Sequence, residues 1–267
     1  MSEIAFDVAA YLSRIGLRGD VEISLDGLQQ VHRHQLFSIP FENFDIMLGR
    51  GVNLDPTYQF DKLVHHQRGG YCFEVNGLLL SALQALGFDA RPVLARVHGE
   101  GYVGGRDHLV ALVSFNGEQW IADAGFGRES PRSPLTLQLN RDFENERQKL
   151  RFVDGEHLGT LLQVETDTGW MPMYSFDLEF VGEADIKYAN HYTSTHPDSH
   201  FTQRRVGALP VEGGVVTLSD QKLTIRKDGD LSEIYLPDSP EYLDLIRQHF
   251  GIELDCQYDE LKPLAEH

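Results

Sequence analysis

The chain has 267 residues, 41% of them apolar and 24% charged, which suits one large globular domain or a few small ones and excludes a disordered class. Its 23 Lys and Arg stand against 41 Asp and Glu, a formal net charge of −18 that repels nucleic acid and anionic membranes. An anionic small-molecule ligand would therefore need local help from backbone N–H groups or a few cations.

The opening stretch MSEIAFDVAAYLSRIG carries no basic-then-apolar leader or cleavage site, and no run approaches the roughly 18 apolar residues of a membrane span. Ile4, Val8, Tyr11, Leu12 and Ile15 recur at helical spacing, and Gly16 stops them. Ser24 caps a second predicted helix carrying Leu25, Leu28, Val31 and Leu36, which halts near Pro40. A third helical segment spans Tyr58 to His66. The fourth is the clearest: Val75, Leu78, Leu79, Ala82, Leu83 and Leu86 make one apolar stripe closed by Gly87.

After Gly87 the period changes. RPVLARV, HLVALVSF and EQWIAD read as strands, followed by LRFV, GTLLQVE and WMPMYSFDL. VVTLS, KLTIRK and LSEIYL form a meander turning at Asp228-Gly229, and a last helix opens with Ser239 as cap and Pro240 at its first position, ending at Gly251. Helices followed by strands predict an α+β fold, with boundaries near 87 and 200.

Two cysteines, Cys72 and Cys256, are too few for a disulfide framework, which points to the cytoplasm and leaves free thiols for chemistry. Cys72 follows Arg68-Gly69-Gly70-Tyr71 and lies three residues before Val75, so it extends the apolar stripe inward from the first turn of its helix. Unpaired N–H groups and the macrodipole there favour a thiolate. Gly69 and Gly70 are expected to leave room for a substrate beside the sulfur. An inert core cysteine is the alternative.

Asn116-Gly117 is the strongest short hairpin signal and joins HLVALVSF to EQWIAD. With these two residues as the loop, Phe115 faces Glu118 and Val110 faces Asp123. His108 shares a face with Val110 and lies diagonal to Asp123. A thiol on a helix N-terminus and a His–carboxylate pair on a strand end are the parts of a cysteine triad. Up to this point acyl transfer and proteolysis remain equally open.

RGGYCFEVNGLLLSALQALGF, IPFENFDI (Ile39 to Ile46) and WIADAGFG (Trp120 to Gly127), in that family's order, resemble the arylamine N-acetyltransferases. NHYTSTHPDSHFTQ (Asn190 to Gln203) adds to the likeness, which weakens in the C-terminal third. The resemblance implies a helical domain (1–87), a β-barrel-like domain (88–200) and an α/β lid (201–267) around a papain- or transglutaminase-like core. It implies acetyl-CoA as donor, with arylamines, arylhydroxylamines or hydrazines as acceptors and no metal. Carried over by motif, Cys72 is the nucleophile, His108 the base and Asp123 the orienting acid. Phe41, Asp107 and Phe126 fall to the acceptor, and Gly104, Gly105 and Gly127 to the donor. Glu42 and Arg68 are a scaffold pair. A cysteine hydrolase or transamidase and an inactive binding module are the competing readings; oligomeric state is open.

Three other signals carry less. The G-x-G-x-x-G match from Gly99 to Gly104 precedes a strand, whereas a dinucleotide fingerprint opens a helix. His191, His196 and His200 read as a solvated loop without a tight ligand pattern. His65-His66 are helix neighbours pointing apart, and Cys256 has no partner nearby.

Overall fold

The computed structural model describes residues 6–146 and 148–264. Helix α1 (Val8–Arg14) starts where Asp7 accepts from the Ala10 N–H at 2.9 Å, and the predicted contribution of Ile4 lies outside the described residues. Helix α2 (Leu25–Ser38) is capped by Ser24, as its sequence predicts, and stops before Pro40. A two-residue strand β1 (Phe41–Glu42) and a short helix α3 (Phe44–Met47) follow. Helix α4 (Pro56–Phe60), capped by Asp55, widens into a π-turn over Asp61–His65. Helix α5 (Cys72–Ala85) buries Val75, Leu78, Leu79, Ala82 and Leu83 against α2 and the strands beyond.

Strands β2 (Asp89–Gly99), β3 (Tyr102–Phe115), β4 (Glu118–Ala122), β5 (Leu135–Thr136), β6 (Asp142–Asn145), β7 (Gln148–Asp154), β8 (Thr160–Thr166) and β9 (Gly169–Phe176) form one antiparallel sheet. Their order is β5-β4-β3-β2-β9-β8-β7-β6, and the sheet curls into a nearly closed barrel. Residues His108 to Val113 of β3 are buried on both faces, which is why the segment reads as an unbroken apolar run. Ala111 and Val113 pack on the α5 side, while Val110 and Leu112 fill the barrel with Val93, Phe152 and Phe176.

The chain then forms α6 (Glu183–Thr195) and α7 (His200–Gln203), where a loop is expected. Helix α6 buries no apolar residue fully: its buried residues are Asn190, Thr193 and Ser194, and the Thr193 and Ser194 hydroxyls donate back along the helix to the Ala189 and Asn190 carbonyls. A helix held by polar contacts leaves no hydrophobic period to read.

Strands β10 (Val206–Val211), β11 (Gly214–Ser219), β12 (Lys222–Lys227) and β13 (Asp230–Tyr235) make the expected meander, and β1 adds to its edge by pairing Phe41 with Ala208. Helix α8 (Glu241–Phe250) lays Tyr242, Ile246 and Phe250 on this sheet and ends at left-handed Gly251. Pro240 rather than Ser239 takes its cap position. The result is a mixed α/β fold. Phe41, Cys72, Phe73, Leu94, Leu109 and Ala208 share one small core, so the N-terminal helices, the barrel and the last sheet meet at the sulfur.

Candidate active site

Cys72 is the first residue of α5 and only 4% exposed. The start of this helix is anchored from below by buried charges. Arg68 spans Glu42 at 2.8 Å and Asp45 at 3.2 Å, and Lys62 spans Asp45 at 2.6 Å and Glu74 at 2.7 Å. Glu74 also accepts the Tyr71 N–H at 3.1 Å, closing the first turn. The expected Arg68–Glu42 pair is thus one part of a larger cluster.

Gly69 and Gly70 serve this scaffold and not, as expected, the substrate. A Cβ on Gly69 would stand 2.3 Å from the Pro40 carbonyl oxygen, and one on Gly70 would stand 2.7 Å from Glu74. Bare backbone is needed there because the β1 and α5 segments approach so closely.

The β3–β4 hairpin delivers the other two groups. Asn116 and Gly117 take left-handed conformations, and the register runs from Phe115↔Glu118 to Ala111↔Ala122, matching the count from the turn. One residue beyond β4, Asp123 Oδ2 accepts from His108 Nε2 at 2.8 Å. His108 lines the same cavity as Cys72, and with Nε2 tied to Asp123 the ring keeps its Nδ1 edge for the sulfur. The register shifts of β3 lie toward β2, between Ala95 and His98, so the parity with β4 survives.

Burial works against charge on His108, but the Asp123 carboxylate and the neighbouring sulfur outweigh it and push the imidazole up to about 10. Burial raises Asp123, yet His108, Asn76 and the Gly125 N–H bring it below the ordinary carboxylate range. For Cys72 burial wins: the thiol is pushed up, with His108 and the Leu109 backbone pulling it down and Asp107 adding to the rise. The N–H groups of the helix terminus, which favour a thiolate, work beside His108 against this burial. The sulfur depends on His108.

Asn76 was not singled out by sequence reasoning. It lies one turn after Cys72, donates to Asp123 Oδ1 at 2.8 Å and to the Leu109 carbonyl at 2.6 Å, and accepts the Ala124 N–H at 2.9 Å. A polar residue inside an apolar stripe, four after the thiol, is the signal that could have found it. Tyr174 lies in the barrel with its ring 5.2 Å from that of His108 and its buried hydroxyl facing Asp123. It joins the site across a register shift in β8–β9, which hides its face from the sequence.

The sulfur opens into a cavity of about 480 Å³ lined by Phe41, Gly104, Gly105, Asp107, His108 and Phe126, together with Tyr192, His200 and Phe201 from the α6–α7 region. Phe126 sits edge-on to His108 at 4.9 Å. Gly104 and Gly105 are strand residues of β3, not a loop, and the Asp107 carbonyl lies 3.8 Å from Sγ. Gly127 lines an adjoining cleft of about 740 Å³ that shares Phe41, Phe126, His200 and Phe201 with the first. Among the described residues no group of three or more His, Cys, Asp or Glu is placed to hold a metal ion, and no helix is long and apolar enough to cross a membrane. A buried thiol, an imidazole tied to a carboxylate and an adjoining cavity are parts that covalent acyl chemistry uses.

Comparison with known proteins narrows that class. A sequence model of the N-acetyltransferase family matches residues 24–258. The arylamine N-acetyltransferase / N-hydroxyarylamine O-acetyltransferase of Salmonella typhimurium is 34% identical over 91% of this chain and 88% of its own. The arylamine N-acetyltransferase of Mycobacterium bovis is 34% identical over 94% and 91%. The solved Salmonella typhimurium enzyme superposes with a TM-score of 0.89 at 32% identity, covering 95% of each chain. That of Mycobacterium marinum in complex with CoA gives 0.89 at 29% identity, covering 96% and 97%. The chain belongs to the arylamine N-acetyltransferase family.

Proposed function

We propose that this protein moves an acetyl group from acetyl-CoA to arylamines, arylhydroxylamines or hydrazines by a ping-pong route through acetyl-Cys72. The observation that carries this reading is the meeting of Cys72 with His108, itself tied to Asp123 at 2.8 Å, at the wall of a cavity walled by Phe41, Phe126 and Phe201. His108 takes the thiol proton, and the thiolate attacks the thioester carbonyl carbon. The oxyanion is received by N–H groups in the first turn of α5, which have no i−4 carbonyl. CoA leaves as the C–S bond breaks and takes the proton from His108. The amine then attacks acetyl-Cys72, His108 removes the proton, and the amide departs with the thiolate restored.

The donor's phosphates fit the larger cleft, where Lys222, Arg226 and Arg128 gather. Lys222 and Arg128 are paired with Glu233 and Glu129 respectively, while Arg226 has no ion pair among the described residues. These cations supply the local field that a chain of net charge −18 otherwise lacks. Gly127 then lies beside the donor's phosphates, and Gly104 and Gly105 line the thiol cavity with Asp107 and Phe126, where the donor's thioester and the acceptor amine arrive in turn. Steady-state kinetics test the route. Parallel double-reciprocal lines for acetyl-CoA and an aromatic amine are expected, and intersecting lines would remove the acetyl-enzyme.

A further inference from the structure

The thiol cavity has a second neighbour, a half-open groove of about 360 Å³ between β3 and α6. It shares Gly105, Asp107 and Tyr192 with the thiol cavity, so the two spaces adjoin along β3. Where Gly105 would carry a Cβ there is nothing within 4 Å, so no side chain fills the space at this shared wall. Leu94, Val181 and Ala189 line the groove, and Phe180 and Tyr188 stand beside them. Phe180 is 87% exposed and Tyr188 76%, so both rings are free to meet a ligand.

The charges around the groove say which substrate it suits. Its carboxylates are Asp107 and Asp185, and its one cation, Arg106, is engaged by Asp177. That field disfavours phosphates, which have Lys222 and Arg226 in the cleft on the other side. We propose that the β3–α6 groove is an outer acceptor subsite that holds the distal ring of a two-ring aromatic amine whose amino group reaches Cys72. The inference rests on the acetyl-transfer reading and adds a specificity determinant to it. Phe180 and Tyr188 stack on the distal ring, and Gly105 lets the molecule pass. Acceptors with a neutral or cationic distal ring are favoured over those with a distal carboxylate.

The test is the double variant Phe180→Ala/Tyr188→Ala, whose exposed positions leave folding undisturbed. Aniline and an aniline bearing a para-phenyl group are compared by kcat/KM, and by calorimetric titration of each amine without acetyl-CoA. The variant should lose about tenfold in kcat/KM and in affinity for the two-ring amine alone. Equal losses for both amines, or none, overturn the proposal. So does a fall in the wild-type particle mass on substitution with acceptor kinetics unchanged, which would make the patch a contact between copies. If neither amine is acetylated while the two-ring amine still loses affinity, the acetyl-transfer reading falls and the subsite stands.

Discussion

Asn76 holds Asp123 from the side opposite His108. Its Nδ2 donates to Asp123 Oδ1 at 2.8 Å while Asp123 Oδ2 receives His108 Nε2 at the same distance. The Gly125 N–H adds a second donor to Oδ1 at 2.9 Å, so the carboxylate has no freedom to rotate away from the imidazole. Since Asn76 and Cys72 share one face of α5, a single helix sets the sulfur and, through Asp123, the ring that serves it.

Asn76→Ala should therefore lower kcat/KM by about ten- to a hundredfold. It also leaves the Leu109 carbonyl and Ala124 N–H without their partner, a loss of about 1–3 kcal/mol per buried group. Denaturant melts and kinetics on the same preparation check both. Full activity in the variant would show that Asp123 needs no support.

The two carboxylates near the sulfur should act with opposite sign. Asp123 sustains the His108 imidazolium, so Asp123→Asn should slow Cys72 alkylation by iodoacetamide near neutral pH by about tenfold or more. Asp107 opposes a thiolate, so Asp107→Asn should speed alkylation and move its pH profile down. Rates that change in the same direction in both variants would contradict these assignments.

His32 is buried on α2, neither ring nitrogen has a hydrogen-bond partner among the described residues, and burial lowers its pKa from 6.5 to about 4, against a counter-pull from Asp123. The unfolded chain binds a proton below pH 6.5 that the folded chain refuses until about 4. Stability is thus fully present above the unfolded value and falls across that window, by about 3 kcal/mol at most. His32→Leu should flatten the pH slope of the denaturation midpoint between these limits. An unchanged slope would place the acid sensitivity elsewhere.

Phe126 stands edge-on to His108 and 5.1 Å from Tyr174, at the floor of the cavity. Phe126→Ser should change relative kcat/KM between small and bulky amines by several-fold while acetylation of Cys72 continues. A uniform loss for all acceptors, with acetylation slowed equally, would assign the ring to the donor step.

The site was legible where local chemistry dictates geometry. Asn116-Gly117 permits one short turn, and counting from it brings His108 to Asp123; Ser24, Gly87 and Gly251 bound their helices for similarly local reasons. What stayed hidden depends on distant packing. Gly69 and Gly70 answer to Pro40 and Glu74, and α6 is held by hydroxyls and by Asn190, which bonds the Tyr71 hydroxyl. The Lys62–Asp45–Glu74 contacts join segments that nothing in their own sequence pairs. The final sheet was readable as a meander, but not that Phe41 extends its edge and reaches the sulfur from there.

The central claim is that Cys72 carries the acetyl group. The protein is mixed with acetyl-CoA without an amine, free CoA is measured, and the protein is digested for peptide mass analysis. One equivalent of CoA should be released in a burst, with the mass of one acetyl group on the peptide containing Cys72 and none on that containing Cys256. Cys72→Ala should show neither burst nor adduct while melting as a folded protein. Absence of the adduct from wild type, or its appearance on another residue, would contradict the account.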